Sequence, residues 1–523
     1  MNKCILLAAL AIAGAALPAA AQISFNAATN QPLQGQRPSG VALLDIDGDG
    51  DRDYAVVSGQ LQGVPGPEWV EVFVNGGSGV FSAGQVLQLG VNLSPQAIAA
   101  GDFDGDGDMD LLVTLDNASA ARVVVNNAGV LALGGLVNLG GAEPRGLALG
   151  DADGDGDLDA VVSFRSSNSV QVLSNTAGTF SAGLSIAVGQ RPRDLVLRDL
   201  NGDNVADIAV AAQDSRRVDL LFGTGGGAFG AVQSVSMPFN DKPSGMAAGD
   251  LDGDGDLDLA TTLENNNVGY VVTLRNTGGS FVATAWPTGT LNPGAVVIAD
   301  LDVDGDLDLA AADEDSNVVV ALANQGVGTF GAALSLPVGA HPTALVAGDL
   351  DGNQSTDLVT ANRDSSNASV LLNTRAGRPV TFCTAGVNSL GCQPTITANA
   401  NPVTSHATAC QISISNLEGQ RSTLVFYGLS ALPQQWCGPG VGTSYLCVKP
   451  PTMRVSQQSS GGTIGACNGG VTFDWSAYQL ATPSALGAPW SAGENAYVQG
   501  WYRDPQSCRT TGLTDAVQLT YQP

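Results

Sequence analysis

Three things are scarce in this 523-residue chain: cysteine over most of its length, histidine, and positive charge. Apart from Cys4, no cysteine precedes Cys383, which excludes disulfides and thiolate metal sites from that long stretch. The two histidines are His341 and His406, and there is no G-x-S-x-G, H-E-x-x-H or glycine-rich phosphate loop. The common hydrolase, zinc-protease and nucleotide signatures are therefore missing. Lys and Arg total 21 against 49 Asp and Glu, and the formal net charge of −28 argues against nucleic-acid or anionic-membrane partners. Past the N-terminus no apolar run reaches the roughly 20 residues of a membrane span.

What is present begins with "MNKCILLAALAIAGAALPAAAQ". A lysine, a short apolar run and Ala19–Ala21 before Gln22 predict a signal peptide, 1–21, cleaved after Ala21. Cys4 leaves with it. The mature protein is expected to be secreted or held at the cell surface. Apolar residues make up 44% and there are 67 glycines, as a globular chain of short strands and tight turns requires.

The stretch "DIDGDGDRD", Asp45 to Asp53, is the first of seven copies of one pattern, which start at residues 45, 102, 151, 199, 250, 300 and 349. A period near 50 residues marks a repeat architecture. A proline precedes most copies, as in "AEPRGLALGD", and apolar runs follow, as in "LDAVVSF" and "VQVLSN". A turn such as "GTFSAGLSIAVG" closes the unit. Each unit carries four strands and no convincing helical period. Four antiparallel strands repeated radially predict an all-β fold, a seven-bladed β-propeller over 22–376. The seventh repeat lacks a good fourth strand, whereas the mature N-terminus "ISFNAATNQPLQGQRP" matches one. The N-terminal strand is expected to complete the last blade and remove an open edge.

Carboxylates at positions one, three, five and nine of a tight loop converge on one point, and a hard cation offsets their repulsion. Calcium suits this donor set better than magnesium, which tolerates less irregular geometry. In the first loop the expected ligands are Asp45, Asp47, Asp49 and Asp53, with the backbone carbonyl of Asp51 at position seven. The second offers Asp102, Asp104, Asp106 and Asp110 with Asp108; the third offers Asp151, Asp153, Asp155 and Asp159 with Asp157. The fourth offers Asp199, Asn201, Asp203 and Asp207 with Val205; the fifth offers Asp250, Asp252, Asp254 and Asp258 with Asp256. The sixth offers Asp300, Asp302, Asp304 and Asp308 with Asp306. The seventh, with Asp349, Asp351, Asn353 and Asp357 and the carbonyl of Ser355, carries less charge and is expected to be the weakest of up to seven calcium sites. An EF-hand is excluded because it needs a glutamate at position twelve. That position holds Val56, Val113, Val162, Val210, Thr261, Ala311 and Thr360.

The D-x-D-x-D-G-x-x-D loop, the apolar strand after it and the "GTF" turns resemble FG-GAP repeats of integrin α-subunit propellers, and equally the VCBS-type repeats of secreted bacterial proteins. The resemblance covers about residues 23–376. It implies that the loops bind calcium between two strands of each blade and stabilise the fold, with no catalytic part. It also implies binding or adhesion without fixing the ligand.

After a linker, 377–382, a cysteine-containing domain is expected over 383–523, with strand-like runs that predict a β-sandwich. It resembles a C-terminal module of secreted bacterial repeat proteins. Cys383 with Cys392 and Cys447 with Cys467 are plausible disulfides, and seven cysteines leave at least one unpaired. Trp436, Trp475, Trp490 and Trp501 are expected to be core in preference to a sugar-stacking platform. The leading reading is a non-catalytic, monomeric binding or adhesion module for an extracellular glycan or protein. The alternatives are a polysaccharide lyase or hydrolase on a propeller scaffold, and a structural envelope or matrix component. His341, in "GAHPTALVAGD", occupies the place of Arg191 or Lys242 in other units and is a repeat variant, not a catalytic base.

Overall fold

The structure, a computed structural model, describes residues 23–60, 66–264, 268–375, 380–382, 393–398, 401, 410–417, 420, 422–429, 431–435, 445–448, 452–460, 467–482, 495–503 and 511–520. The expected signal peptide and Cys383 and Cys392 lie outside these residues, as do Trp436, Trp490 and the side chain of Trp501.

The repeat folds as a four-stranded antiparallel sheet with strands in sequence order. In the third unit these are Pro144–Gly150, Asp159–Phe164, Ser169–Thr176 and Thr179–Ala187. Burial changes across the sheet and explains the composition. All six residues of Asp159–Phe164 are buried, so this strand is a continuous run of small and apolar residues. The fourth strand is an outer edge; Ser280–Pro287 of the fifth unit alternates between exposed and half-buried.

Among the described residues there are seven such sheets. Their second strands begin at Asp53, Asp110, Asp159, Asp207, Asp258, Asp308 and Asp357, the ninth position of each loop. Each first strand lies against the first strand of the next sheet, and Pro342–Gly348 of the last lies against Gln36–Leu44 of the first. There the Thr343 hydroxyl donates to the Pro38 carbonyl at 3.1 Å. The last sheet takes its fourth strand from the N-terminus, as the sequence suggests. Thr29–Pro32 pairs antiparallel with Asn367–Leu371, Thr29 opposite Val370 and Pro32 opposite Asn367. Apolar side chains fill the space between neighbouring sheets. At the seam, Tyr54, Val56 and Phe73 of the first sheet pack with Val359, Ala361 and Val370 of the last.

Beyond the repeats a five-stranded sheet runs in the order Val380–Phe382, Thr511–Thr520, Asn495–Arg503, Ser422–Gly428, Thr452–Ser459. A three-stranded sheet holds Thr395–Ala398, Gln411–Leu417 and Gly469–Asp474. The two share one core, in which Ile396, Ile412 and Val471 meet Val425, Tyr427 and Val498. A short helix, Trp475–Ala481, interrupts the strand pattern. Asp474 caps it by accepting from the Ala477 N–H at 3.0 Å. The helix buries Trp475 edge-on against Tyr427, with ring centroids 4.8 Å apart, so this tryptophan is core. Cys410 is a thiol inside the same core, and burial pushes its pKa up to about 12.

Candidate metal centres

Every aspartate loop joins the first strand of a sheet to the second. Within it the carboxylates organise the backbone before any ligand is considered. The position-one aspartate spans the loop: Asp45 accepts from Gly48 N–H and Gly50 N–H, both at 2.9 Å. Asp102, Asp151 and Asp250 repeat the pattern with their own glycines. The position-five side chain accepts from the N–H of position seven, as Asp49 does from Asp51 at 2.9 Å. These turns need left-handed residues at positions four and six. Gly48 and Gly50 supply them at φ of 74° and 94°.

The departures from glycine are informative. Asn204 and Gln354 stand at position six with φ of 64° and 67°. The sixth loop has Val303 at position four with φ of 60°, an outlier for a β-branched side chain. Its cost was not evident from the aspartate count alone, which made this loop look as complete as the first.

The position-nine aspartate has a distinct place. All seven are at most 1% exposed. One carboxylate oxygen of each accepts from the position-two N–H of its own loop, as Asp53 does from Ile46 at 2.8 Å, Asp258 from Leu251 at 3.0 Å and Asp357 from Leu350 at 2.7 Å. The other accepts from the N–H at the end of the third strand: Asn75 for Asp53, Asn276 for Asp258 and Asn373 for Asp357. This residue ties three strands' ends together whether or not it also reaches a metal.

An asparagine network escaped the sequence reading. The side-chain amide of Asn126 donates to the Ile46 carbonyl in the preceding unit's loop at 2.9 Å, and Asn276 donates likewise to Leu200 at 2.7 Å. Asn175, Asn324 and Asn373 repeat it, and Asn75 reaches the Leu350 carbonyl across the seam. The fourth unit carries Gly223 instead and keeps only the backbone bond to Asp207. The signal was a recurrent asparagine after the third apolar run, in "VFVNG", "VQVLSN" and "VVVALAN". The "GTF" turn belongs to the same contact. Gly178, with φ of 80°, packs on the preceding unit's loop, and a Cβ there would come within 2.9 Å of the Asp104 Cβ.

The donor set fits a calcium ion. Carboxylate oxygens of Asp45, Asp47 and Asp53 lie within 4.8 Å of one another, and so do those of Asp151, Asp153 and Asp159. In three other loops the clustered oxygens come from positions one, three and five instead of one, three and nine: Asp102, Asp104 and Asp106; Asp250, Asp252 and Asp254; and Asp300, Asp302 and Asp304. One oxygen of Asp302 and one of Asp349 are buried with no hydrogen-bond partner, which a cation would satisfy. The position-seven carbonyls expected as ligands have side chains engaged elsewhere. Asp108, Asp157 and Asp256 accept from hairpin N–H groups of Ala128, Ala177 and Gly278.

Burial raises the pKa of all seven position-nine carboxylates. Asp308 and Asp357 are pushed up to about 7, mainly by desolvation and secondarily by neighbouring aspartates. Desolvation takes Asp53 and Asp302 to about 6, and like charges add to it.

The FG-GAP-like repeat family matches residues 45–113, 151–210, 199–261 and 300–360. No curated protein matches the chain. Among solved structures, BBS1N in complex with ARL6DN is 15% identical, covering 68% of this chain and 98% of its own, with a TM-score of 0.48. A lectin of Agrocybe aegerita that recognises non-reducing terminal N-acetylglucosamine is 22% identical, covering 64% and 87%, with a TM-score of 0.42. The periplasmic gluconolactonase of Pseudomonas aeruginosa is 16% identical, covering 58% and 86%, with a TM-score of 0.43.

Two outcomes follow from this geometry. An unfolded aspartate titrates near pH 4, whereas the buried ones above titrate near 6 to 7, so the metal-free folded chain holds extra protons between these values. Its stability therefore falls as pH rises through that window. Calorimetry in chelator should give a higher melting temperature at about pH 5.5 than at about pH 7.5; the reverse order would contradict the assignment. Asn276→Ala removes bonds to Leu200 and Leu257 and should cost about 1–3 kcal/mol in denaturant unfolding, where an unchanged midpoint would show that the asparagine is not holding the sheets.

Proposed function

The chain is an FG-GAP-like repeat protein with a β-propeller fold, and on that premise we propose that it is an exported, calcium-stabilised, seven-bladed binding module without catalytic activity. The observation that carries this reading is the repetition of one loop geometry across units, with a buried aspartate in all seven and clustered carboxylates in the loops that start at residues 45, 102, 151, 250 and 300. A catalytic site is a single constellation, whereas these groups recur in the same loop of sheet after sheet, as a part of the scaffold does. Calcium in the loops would supply charge compensation, and the residues that would hold it are the aspartates and asparagines at positions one, three, five and nine.

Support for seven blades is the set of seven sheets and the contact between first and last strands. The described residues from Val380 onward fit a β-sandwich, since the five-stranded and three-stranded sheets there share one core. Export rests on the N-terminal sequence. No helix among the described residues is long and apolar enough to cross a membrane. The partner is taken to be an extracellular glycan or protein.

A glycan array probed with the mature protein in calcium and in chelator tests this. Calcium-dependent retention of a ligand without turnover is the expected result. Depolymerisation of a polysaccharide that is not stably retained would replace the reading with an enzyme.

A further inference from the structure

The two ends of the first and second strands differ in character. One end carries the aspartate loops. The opposite end, where the first strands begin and the second strands finish, opens into a cavity of about 1030 Å³ lined by residues from all seven sheets. We infer that this mouth is a binding site for an acidic oligosaccharide, a hydroxylated ligand bearing carboxylates. The inference rests on reading the chain as a binding module and adds the site and the ligand class.

The first observation is charge. The chain has 21 lysines and arginines in all, and seven of them line this one cavity in a protein of net charge −28. The lining carboxylates number five, and each is already engaged. Glu68 accepts from Leu93 N–H at 2.6 Å and Ser94 N–H at 2.8 Å. Asp194 accepts from the N–H groups of Leu195 and Met246, both at 2.9 Å. Asp116 meets Arg145 at 3.3 Å. Arg193 bridges Glu264 and Glu314, the latter at 2.8 Å, and His341 Nε2 lies 3.0 Å from Glu314. Arg191 and Lys242 share Asp214, at 3.3 and 2.9 Å.

That pairing leaves a remainder of one sign. Neither Arg37 nor Arg165 has a carboxylate partner among the described residues, and both are only half-buried. Arg363 pairs with its exposed chain neighbour Asp364 alone, at 3.3 Å. Three guanidiniums therefore face the cavity with capacity for an incoming oxyanion, which the planar fork of arginine binds in bidentate fashion.

The second observation is the rest of the lining. Gln60, Gln96, Gln213, Asn92 and Asn117 offer neutral donors and acceptors suited to hydroxyl groups. Among the described residues no aromatic ring lines the cavity, so the lining they form offers a neutral sugar no stacking surface. The volume is at the top of the roughly 300–1,000 Å³ range of ligand pockets, far more than a single small anion fills.

The third is strain at the rim. Arg37, Ser94, Glu143, Arg191 and His341 each stand directly before a proline with φ between 50° and 59°. A proline disfavours α-type conformations in the residue before it, and a side chain makes the left-handed region costlier still. The turn is a feature of the repeat, and it sets where Arg37, Ser94 and Arg191 enter the cavity.

The test uses the mature chain with calcium held constant and titration calorimetry with α-1,4-linked trigalacturonate, its neutral galactose counterpart, and citrate. The trimer should bind, its neutral counterpart should not, and citrate should bind more weakly because it lacks the sugar hydroxyls. Raising sodium chloride from about 0.1 to about 0.5 M should weaken the trimer, as screening requires. Arg37→Ala with Arg165→Ala should weaken it about tenfold, while Arg37→Lys with Arg165→Lys retains part of the affinity. Equal affinity for the neutral sugar, citrate as good as the trimer, or no effect of the alanine pair would overturn the site. Should the alanine pair fail to fold, the neutral control and salt dependence decide. Array binding to another glycan, unaffected by the alanine pair, would sink this site while leaving the binding-module reading intact. Absence of any retained ligand would sink both.

Discussion

The structure depends on a buried carboxylate shared between two backbone N–H groups. The aspartate at the ninth loop position is out of water in every unit, and an unpaired buried charge would cost several kcal/mol. It is tolerated because one oxygen accepts from its own loop and the other from the end of the third strand. That choice fixes where the loop sits. The asparagine at the same strand end then reaches the loop of the preceding sheet. Intra-sheet order and sheet-to-sheet order therefore meet at one point, and the glycine turn beside it permits the close approach.

The desolvation that makes this aspartate a good strut also raises its pKa, most where burial is deepest, at Asp308 and Asp357. The surrounding aspartates worsen the electrostatics, since their carboxylates converge with little besides backbone N–H groups to offset them. A divalent cation would resolve the conflict and convert repulsion into cross-linking. The chain's acidity is then internal to its scaffold. A third of the basic residues gather instead at the far ends of the same strands, around the open mouth.

Much of this was legible in the sequence, for identifiable reasons. The loops declare themselves because turn chemistry and charge need fixed residues at fixed spacings, and the second strands because burial on both faces leaves an unbroken apolar run such as "DIAVAA". The completion of the last sheet by Thr29–Pro32 was legible because a missing strand at one end matched a spare one at the other. Three features were not. The asparagine staple involves residues about 75 positions apart, and nothing local marks asparagine as a cross-sheet donor. Val303 hides its backbone strain behind a full set of aspartates. The cationic mouth draws one or two residues from many units, so no stretch of sequence looks basic.

We propose that calcium in the aspartate loops stabilises the repeat domain. The most direct measurement is the melting temperature of the mature chain by scanning calorimetry, at neutral pH, in calcium and after exhaustive chelation. A metal bound by the folded state alone adds to stability as its concentration rises above the dissociation constant. The expected result is a large, reversible fall in melting temperature on chelation, restored by calcium. An unchanged melting temperature would contradict it.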